Sequence, residues 1–173
     1  MFLITGSGRS GTKYISQVLQ RCGLDVGHEK MGADGIVSGF YCFEADSYPG
    51  HNHPAPRPDF DLILHQVRHP LKTIASIQTG HSSEWASQFI LAEQDALPLR
   101  WACSYWLAYN ESAERQAEFT YRIEDLEEAW PEIQQLLGFE YSFEPATEGG
   151  SPRVPMPVNT LVFRGSKSGP SPL

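Results

Sequence analysis

A glycine-rich segment near the start of the chain constrains the fold more than any other feature. It reads Gly-Ser-Gly-Arg-Ser-Gly-Thr-Lys over 6–13 and follows an apolar run, 2–5, which is typical of a buried strand. Apolar residues then recur with helical spacing, which predicts a helix over about 11–22 with Gly23 as its C-terminal cap. A glycine loop between a strand and a helix predicts an oxyanion site, because backbone N–H groups converge there, and Arg9 adds a guanidinium.

Strand-like and helix-like segments alternate along the rest of the chain. In chain order they are strands at 24–27 and 61–67, a helix from Pro70, a long helix at 99–117, a strand at 119–123 and a last helix at 126–137. This alternation predicts a three-layer α/β fold with a mainly parallel central sheet, in one domain over 1–173. Residues 32–59 lack periodicity and predict a long loop insertion, and residues 140–173 form a Pro- and Gly-rich C-terminal segment.

The predicted helices carry their own packing expectations. In the helix from Pro70, Leu71, Ile74 and Ala75 are expected to share the buried face. Pro131 is expected to break the last helix, because proline has no backbone N–H to donate. In the long helix, two apolar stripes are expected, and its aromatic residues are assigned to the core rather than to a sugar-binding platform: Trp101, Tyr105, Trp106 and Tyr109.

The charge distribution excludes some partners and leaves others open. The net charge of −8 argues against a nucleic-acid partner. The acidic excess lies in 84–148, where 14 acidic residues face 3 basic ones, whereas 1–83 holds seven of each. The acidic helices are therefore expected to form a solvated outer face, and a small anionic ligand remains compatible with the first half of the chain.

The cysteines and the hydropathy indicate the compartment. Cys22, Cys42 and Cys103 are widely spaced and follow no metal-ligand or disulfide pattern, which is typical of a reducing environment. The apolar start of the chain is too short for a signal peptide, and no run of roughly 20 apolar residues is present to cross a bilayer. A cytoplasmic protein without membrane association and without a metal site is expected.

A second chemical motif follows the strand at 61–67. Arg68 stands at the strand's end and Ser76 lies two turns into the next helix, a pair that suits a phosphate group. The carboxyl ends of parallel strands share one edge, so Arg68 is expected near Arg9. The first loop resembles a Walker A sequence, but Thr12-Lys13 replaces the Lys-Ser/Thr order, and no carboxylate for magnesium ends the strand before Arg68. A magnesium-dependent kinase or ATPase is therefore the weaker interpretation.

Together, three motifs resemble sulfotransferases that use 3′-phosphoadenosine 5′-phosphosulfate (PAPS). The segment 9–12 resembles their 5′-phosphosulfate loop, 68–76 their 3′-phosphate motif, and 121–126 the strand-to-helix segment that follows a long helix. The resemblance implies a P-loop-like fold and PAPS as co-substrate. It also implies the residues that hold PAPS: Gly8, Arg9, Ser10, Gly11, Thr12 and Lys13 at the 5′ end, Arg68 and Ser76 at the 3′-phosphate, and Arg164 in a basic glycine loop over the nucleotide.

The same resemblance suggests the catalytic groups. Arg9 would stabilise the charge of the transferred group, and Glu29, at the end of the second strand, is the first candidate for the base, with His28 the second. Glu29 could instead form a surface ion pair with Lys13 or Lys30. His65 is expected to be a hydrogen-bonded core residue. For His69 two roles fit equally well: contact with the ligand, or a place at the start of the next helix.

These observations leave three hypotheses. The first is a PAPS-dependent sulfotransferase that acts on a hydroxyl or amine of a small molecule or carbohydrate. The second is a P-loop kinase that uses ATP and magnesium, and the third is a non-catalytic nucleotide-binding module. His51 and His53 have no convincing third ligand, so no metal is assigned to them.

Overall fold

In a computed structural model of the chain, the structure describes residues 1–43, 57–79 and 98–140. Three of the residues discussed above, Arg164, His51 and His53, lie outside the described residues, as does nearly all of the C-terminal segment 140–173.

The centre of the fold is a five-stranded sheet in which every neighbouring pair is parallel. Its strands are β1 (Phe2–Thr5), β2 (Val26–His28), β3 (Gly35–Val37), β4 (Leu62–Val67) and β5 (Phe119–Arg122). The order across the sheet is β2-β3-β1-β4-β5. The chain therefore builds one side of β1 first and then crosses to the other, and ligands of parallel sheets bind at such a reversal, beyond the carboxyl ends of the strands.

Helices cover both faces of this sheet, which confirms the predicted three-layer α/β fold with a mainly parallel sheet. They are α1 (Thr12–Arg21), α2 (Pro70–Thr79), α3 (Pro98–Gln116) and α4 (Leu126–Leu137). On one face, α1 and α4 pack their apolar sides against Ile4, Leu64 and Tyr121. On the other face, Ile74 and Ile77 of α2 pack against α3. Within the described residues, no helix is both long and apolar enough to cross a membrane.

The predicted loop at 32–59 is wrong at its start. Residues Gly35–Val37 form β3, which is buried between β2 and β1, and Phe40–Cys42 form a short 3₁₀ helix. The return from β2 to β3 takes only residues 29–34, because each strand is three residues long, whereas a parallel crossover usually needs a dozen or more. A three-residue strand is too short to show periodicity, so the sequence pattern missed it. The second strand is also shifted, from the expected 24–27 to Val26–His28.

Two helix expectations are also wrong. Leu71 is 71% exposed and Ala75 is exposed, because the buried face of α2 is formed by Thr73, Ile74 and Ile77. Helix α4 continues through Pro131 without a break. The buried side of α4 keeps the helix continuous, because Leu126, Trp130 and Ile133 pack in the core.

Other local predictions are confirmed. Gly23 has a φ of 91°, and its N–H donates to the Gln20 carbonyl, so it caps α1. The aromatic residues of α3 belong to the core, but on a single buried face that contains Ala102, Tyr105, Tyr109 and Ala113, with the two tryptophans partly buried beside it. The glutamates of the last two helices are exposed as expected: Glu111, Glu114, Glu127, Glu128 and Glu132. All three cysteines are free thiols.

Candidate functional site

The loop between β1 and α1 has an unusual backbone. Arg9 has a φ of 70° and Gly11 a φ of 92°, so two of the three residues 9–11 have the positive φ of the left-handed region. Gly6 approaches β4 so closely that a Cβ at this position would lie 2.2 Å from the Gln66 carbonyl oxygen. Alternating backbone hands of this kind turn successive N–H groups to one side, which is the geometry of an anion-binding nest.

Side chains from other elements hold the loop in this shape. The guanidinium of Arg68 donates to the Arg9 carbonyl at 3.1 Å, and the amide nitrogen of Gln66 donates to the Ser10 carbonyl at 2.8 Å. The hydroxyl of Tyr105, on α3, accepts the N–H of Gly8 at 3.0 Å. Two loop carbonyls are thus occupied by protein donors. The first N–H groups of α1 have no partner within the helix and remain available to a ligand.

The two predicted anion motifs meet at this loop. Nε of Arg9 donates to the Ser76 hydroxyl at 2.9 Å, and Arg68 lies against the Arg9 backbone. Among the described residues, no carboxylate forms an ion pair with either guanidinium. Such an arrangement of two neighbouring cations suits an anionic ligand, since each guanidinium offers several donors.

Two hydroxyl groups add to the donor character of the loop. Ser7 and Ser10 are fully buried, and the described residues provide no hydrogen-bond partner for either hydroxyl. Buried hydroxyls normally find a partner, so their presence here favours a ligand rich in acceptor oxygens.

The third predicted motif contacts both of the others. The carboxylate of Glu124 accepts the backbone N–H of His69, at the start of α2, at 3.1 Å and 3.3 Å. Ile123 lies beside the loop, 3.4 Å from where a Cβ on Gly11 would stand. The carbonyl of His69 accepts the N–H of Thr73, so the backbone of His69 forms a hydrogen bond of the first turn of α2. The three motifs, separated in sequence, therefore converge at the carboxyl edge of the sheet.

Glu29 presents a carboxylate next to the same loop. It accepts hydrogen bonds from the Ser38 hydroxyl and from the N–H of Gly39, the latter at 3.0 Å. A Cβ on Gly39 would stand 3.2 Å from the Gly6 carbonyl and 4.0 Å from Oε1 of Glu29, so the loop and the carboxylate both lie close to Gly39. Burial raises the pKa of Glu29, although the hydrogen bonds from Ser38 and the Gly39 backbone oppose this effect. The alternative surface pairing with a lysine does not occur among the described residues.

His28 connects the carboxylate to the helix start. Its Nε2 lies 3.0 Å from the Thr12 hydroxyl and 4.0 Å from Oε1 of Glu29. Burial lowers the pKa of His28, and the charge of Lys13 lowers it further, so both effects favour the neutral ring. The Lys13 side chain itself is exposed. A neutral ring can accept a proton, but its Nε2 is already engaged by a hydroxyl.

Three site residues were missed at the sequence level: Gln66, Tyr105 and Ser38. Gln66 left a signal, because an amide inside an apolar strand must find partners for both of its ends. For Tyr105 the sequence contains no such signal, because a tyrosine on the buried face of a helix cannot be told from an ordinary core residue. Ser38 was hidden because β3 itself was not predicted.

His65 is a core residue, as predicted. Its Nε2 lies 3.0 Å from Oδ1 of Asn110 and its Nδ1 lies 3.3 Å from the Thr120 hydroxyl, with 1% of the residue exposed. It therefore contributes to packing between α3, β4 and β5.

The edge of the sheet thus brings together two guanidiniums, a serine hydroxyl, the loop N–H groups and the partly buried carboxylate of Glu29. Comparisons of this chain with protein-family models, curated proteins and solved structures find no match.

Proposed function

We propose that this protein is a sulfotransferase that transfers a sulfuryl group from PAPS to a hydroxyl or amine of a small-molecule or carbohydrate acceptor. The observation that carries the proposal is the meeting of Arg9, Arg68 and Ser76. These residues belong to two motifs more than 50 positions apart, yet a 2.9 Å and a 3.1 Å hydrogen bond join them at the glycine loop.

The chemistry of PAPS fits these residues. The molecule carries anionic groups at both ends of its ribose, and the site offers two cations that form no ion pair with a carboxylate of the described residues. The glycine loop and Arg9 would hold the 5′-phosphosulfate, while Arg68 and Ser76 would hold the 3′-phosphate. Sulfuryl transfer spreads negative charge over the transferred and leaving oxygens, so a preorganised guanidinium and backbone N–H groups lower the barrier by electrostatic stabilisation.

Glu29 is the proposed base that takes the proton from the acceptor. Its carboxylate is held by the Ser38 hydroxyl and the Gly39 N–H, which fixes its direction, and its partial burial raises its proton affinity. Position is part of this argument, because Gly39 lies close both to this carboxylate and to the loop that would hold the sulfuryl group. His28 is less suited to this role, since Thr12 occupies its Nε2.

The site favours a donor bound without magnesium over ATP with magnesium. In a P-loop kinase, a carboxylate at a strand end helps to hold the metal ion. Here β4 ends and the next residue is Arg68, whose guanidinium is directed at the Arg9 carbonyl. A guanidinium in this position repels a magnesium ion, whereas a carboxylate would bind it. The Thr12-Lys13 order also places the lysine one position, or about 100°, from its place in a Walker A helix.

The test is isothermal titration with adenosine 3′,5′-bisphosphate, and with ATP in the presence and absence of magnesium. The wild type is expected to bind the bisphosphate without magnesium. Arg9→Ala and Arg68→Ala should each weaken binding by about tenfold or more, which is the typical effect of losing a charge-assisted hydrogen bond. Arg21→Ala is the control, because this arginine is exposed at the far end of α1.

Each result has a defined meaning. Equal affinity of the wild type and both arginine variants would contradict the proposed site. Tighter binding of ATP that depends on magnesium would instead support a kinase. Transfer of labelled sulfate from PAPS to a mixed pool of hydroxyl and amine acceptors supports the enzymatic proposal. Bisphosphate binding without any such transfer would leave a nucleotide-binding module.

A further inference from the structure

A buried polar relay runs from β5 through β4 to the glycine loop. The hydroxyl of Tyr121 donates to Oε1 of Gln66 at 2.8 Å, and Nε2 of Gln66 donates to the Ser10 carbonyl at 2.8 Å. The two side chains are direct cross-strand neighbours, and they are 4% and 0% exposed, respectively. The relay is thus shielded from water along its whole length.

The chemistry of the relay allows only one orientation of the amide. The Ser10 carbonyl can only accept, so the nitrogen end of Gln66 must face it, and the oxygen end is then left for the Tyr121 hydroxyl. Replacing either partner would leave a buried polar atom without a hydrogen bond. The Ser10 carbonyl therefore fixes which end of the amide faces the loop, and the Tyr121 hydroxyl holds the other end in place.

The relay also determines where the next N–H points. In a trans peptide the C=O and the following N–H point in opposite directions. Because Gln66 draws the Ser10 carbonyl toward the sheet, the N–H of Gly11 is turned away from the sheet, at the start of α1. This is the orientation that an anion bound at the loop requires.

We propose that Tyr121 and Gln66 are positioning residues, which preset the Ser10–Gly11 peptide for binding of a sulfate or phosphate group. This inference rests on the proposed function in so far as the glycine loop binds such a group. Neither residue touches the ligand, because both lie on the core side of the loop. The relay explains why a fully buried position of β4 carries a glutamine.

The test compares three variants with a matched control. Tyr121→Phe removes only the hydroxyl, Gln66→Met removes the amide, and the double variant replaces both polar groups with apolar ones of similar size. Thr120→Val is the control, because Thr120 is on the same strand and contacts His65 on the opposite face of the sheet. Binding of inorganic sulfate and of adenosine 3′,5′-bisphosphate is measured by titration, and stability by urea denaturation.

Tyr121→Phe is expected to weaken binding of both ligands about fivefold, the effect of one lost hydrogen bond, while the control binds as the wild type does. The double variant should recover stability relative to Gln66→Met, because the Tyr121 hydroxyl is no longer left without a partner. It should still bind weakly, because the Ser10 carbonyl has lost its donor. A double variant that recovers affinity together with stability would overturn the proposal. Unchanged affinity in Tyr121→Phe would overturn it equally.

The backbone amide resonance of Gly11 provides a readout that needs no ligand. We expect this resonance to shift in Tyr121→Phe and in Gln66→Met but to stay in place in Thr120→Val. If wild type binds neither sulfate nor bisphosphate, the proposed function fails, and the Gly11 resonance still decides whether the relay sets this peptide. An unshifted resonance in both relay variants would refute the relay itself.

Discussion

Arg9 and Glu29 share an uncommon backbone conformation. With φ values of 70° and 53°, they are the non-glycine residues with positive φ among the described residues. Such a conformation costs on the order of 1–3 kcal/mol and persists only where surrounding contacts enforce it. Both residues were singled out from the sequence for the proposed chemistry. Strain at these two positions is consistent with a site that is preorganised for a ligand.

At the residue scale, Ser38 is expected to control the protonation of Glu29. Burial raises the pKa of Glu29, and the Ser38 hydrogen bond lowers it by stabilising the charged carboxylate. Ser38→Ala should therefore raise this pKa further. If Glu29 is the base, the acid limb of the rate–pH profile should move to higher pH in Ser38→Ala, and the rate should fall most at the acid end, because less of the base is ionised there.

The measurement is an NMR titration of the Glu29 carboxyl carbon. Ser112→Ala is the control, since Ser112 is also a buried serine, and its hydroxyl donates to the Cys42 carbonyl rather than to Glu29. A midpoint in Ser38→Ala that is equal to or below that of the wild type would contradict the assigned role.

At the scale of elements, α4 shows how packing can overcome local preference. Pro131 lacks the N–H that would donate one turn back, to Glu127, and proline inside a helix is usually destabilising by about 3 kcal/mol. The helix nevertheless continues, because Trp130 and Ile133 are buried on the side that faces the sheet. Their burial requires one continuous helix, and the exposed position of Pro131 avoids a clash with the core.

Pro131→Ala is therefore expected to stabilise the protein. The change restores one backbone hydrogen bond, although the freer unfolded chain offsets part of the gain, which leaves roughly 1–2 kcal/mol. The free energy of unfolding from urea denaturation measures the effect. Glu132→Ala, at the neighbouring exposed position, should change stability by less than about 0.5 kcal/mol. A destabilised Pro131→Ala would show that the proline contributes something that the helix geometry does not reveal.

At the scale of the whole molecule, His65 connects the second helical layer to the sheet. Its ring contacts Asn110 of α3 and Thr120 of β5, and burial lowers its pKa below the usual value near 6.5. The unfolded chain therefore binds a proton more readily than the folded one does. The contribution of the neutral ring to stability is complete above about pH 6.5 and is lost as the pH falls toward the lower pKa of the folded state.

Protonation of His65 at low pH should consequently destabilise the folded state. The free energy of unfolding is expected to fall between about pH 7 and pH 5, and His65→Gln should reduce that dependence while costing about 1–2 kcal/mol near neutral pH. Thr120→Val keeps the imidazole and should keep the pH dependence. Urea denaturation at several pH values makes the comparison, and an equal slope in wild type and His65→Gln would contradict the prediction.

Much of the architecture could be predicted because it depends on local patterns. The glycine loop, the spacing of apolar residues in α1 and the apolar run of β4 each extend over enough residues to show a periodicity or a turn signal. β3 has three residues and shows neither, so its place between β2 and β1 could not be predicted. The prediction that Leu71 lies on the buried face of α2 was wrong, because the sequence does not show which helix packs against α2.

The sequence alone determined the α/β class and the residues of the proposed anion motifs, because strand–loop–helix signals and arginines at strand ends are local features. Only the tertiary structure decided how these motifs are held together. Gln66, Tyr105 and Ser38 act across 56, 97 and 9 positions of the chain. Their partners are loop and turn atoms, which a sequence pattern does not locate. The physical reason is that a buried polar group takes its role from what the fold brings within hydrogen-bond distance.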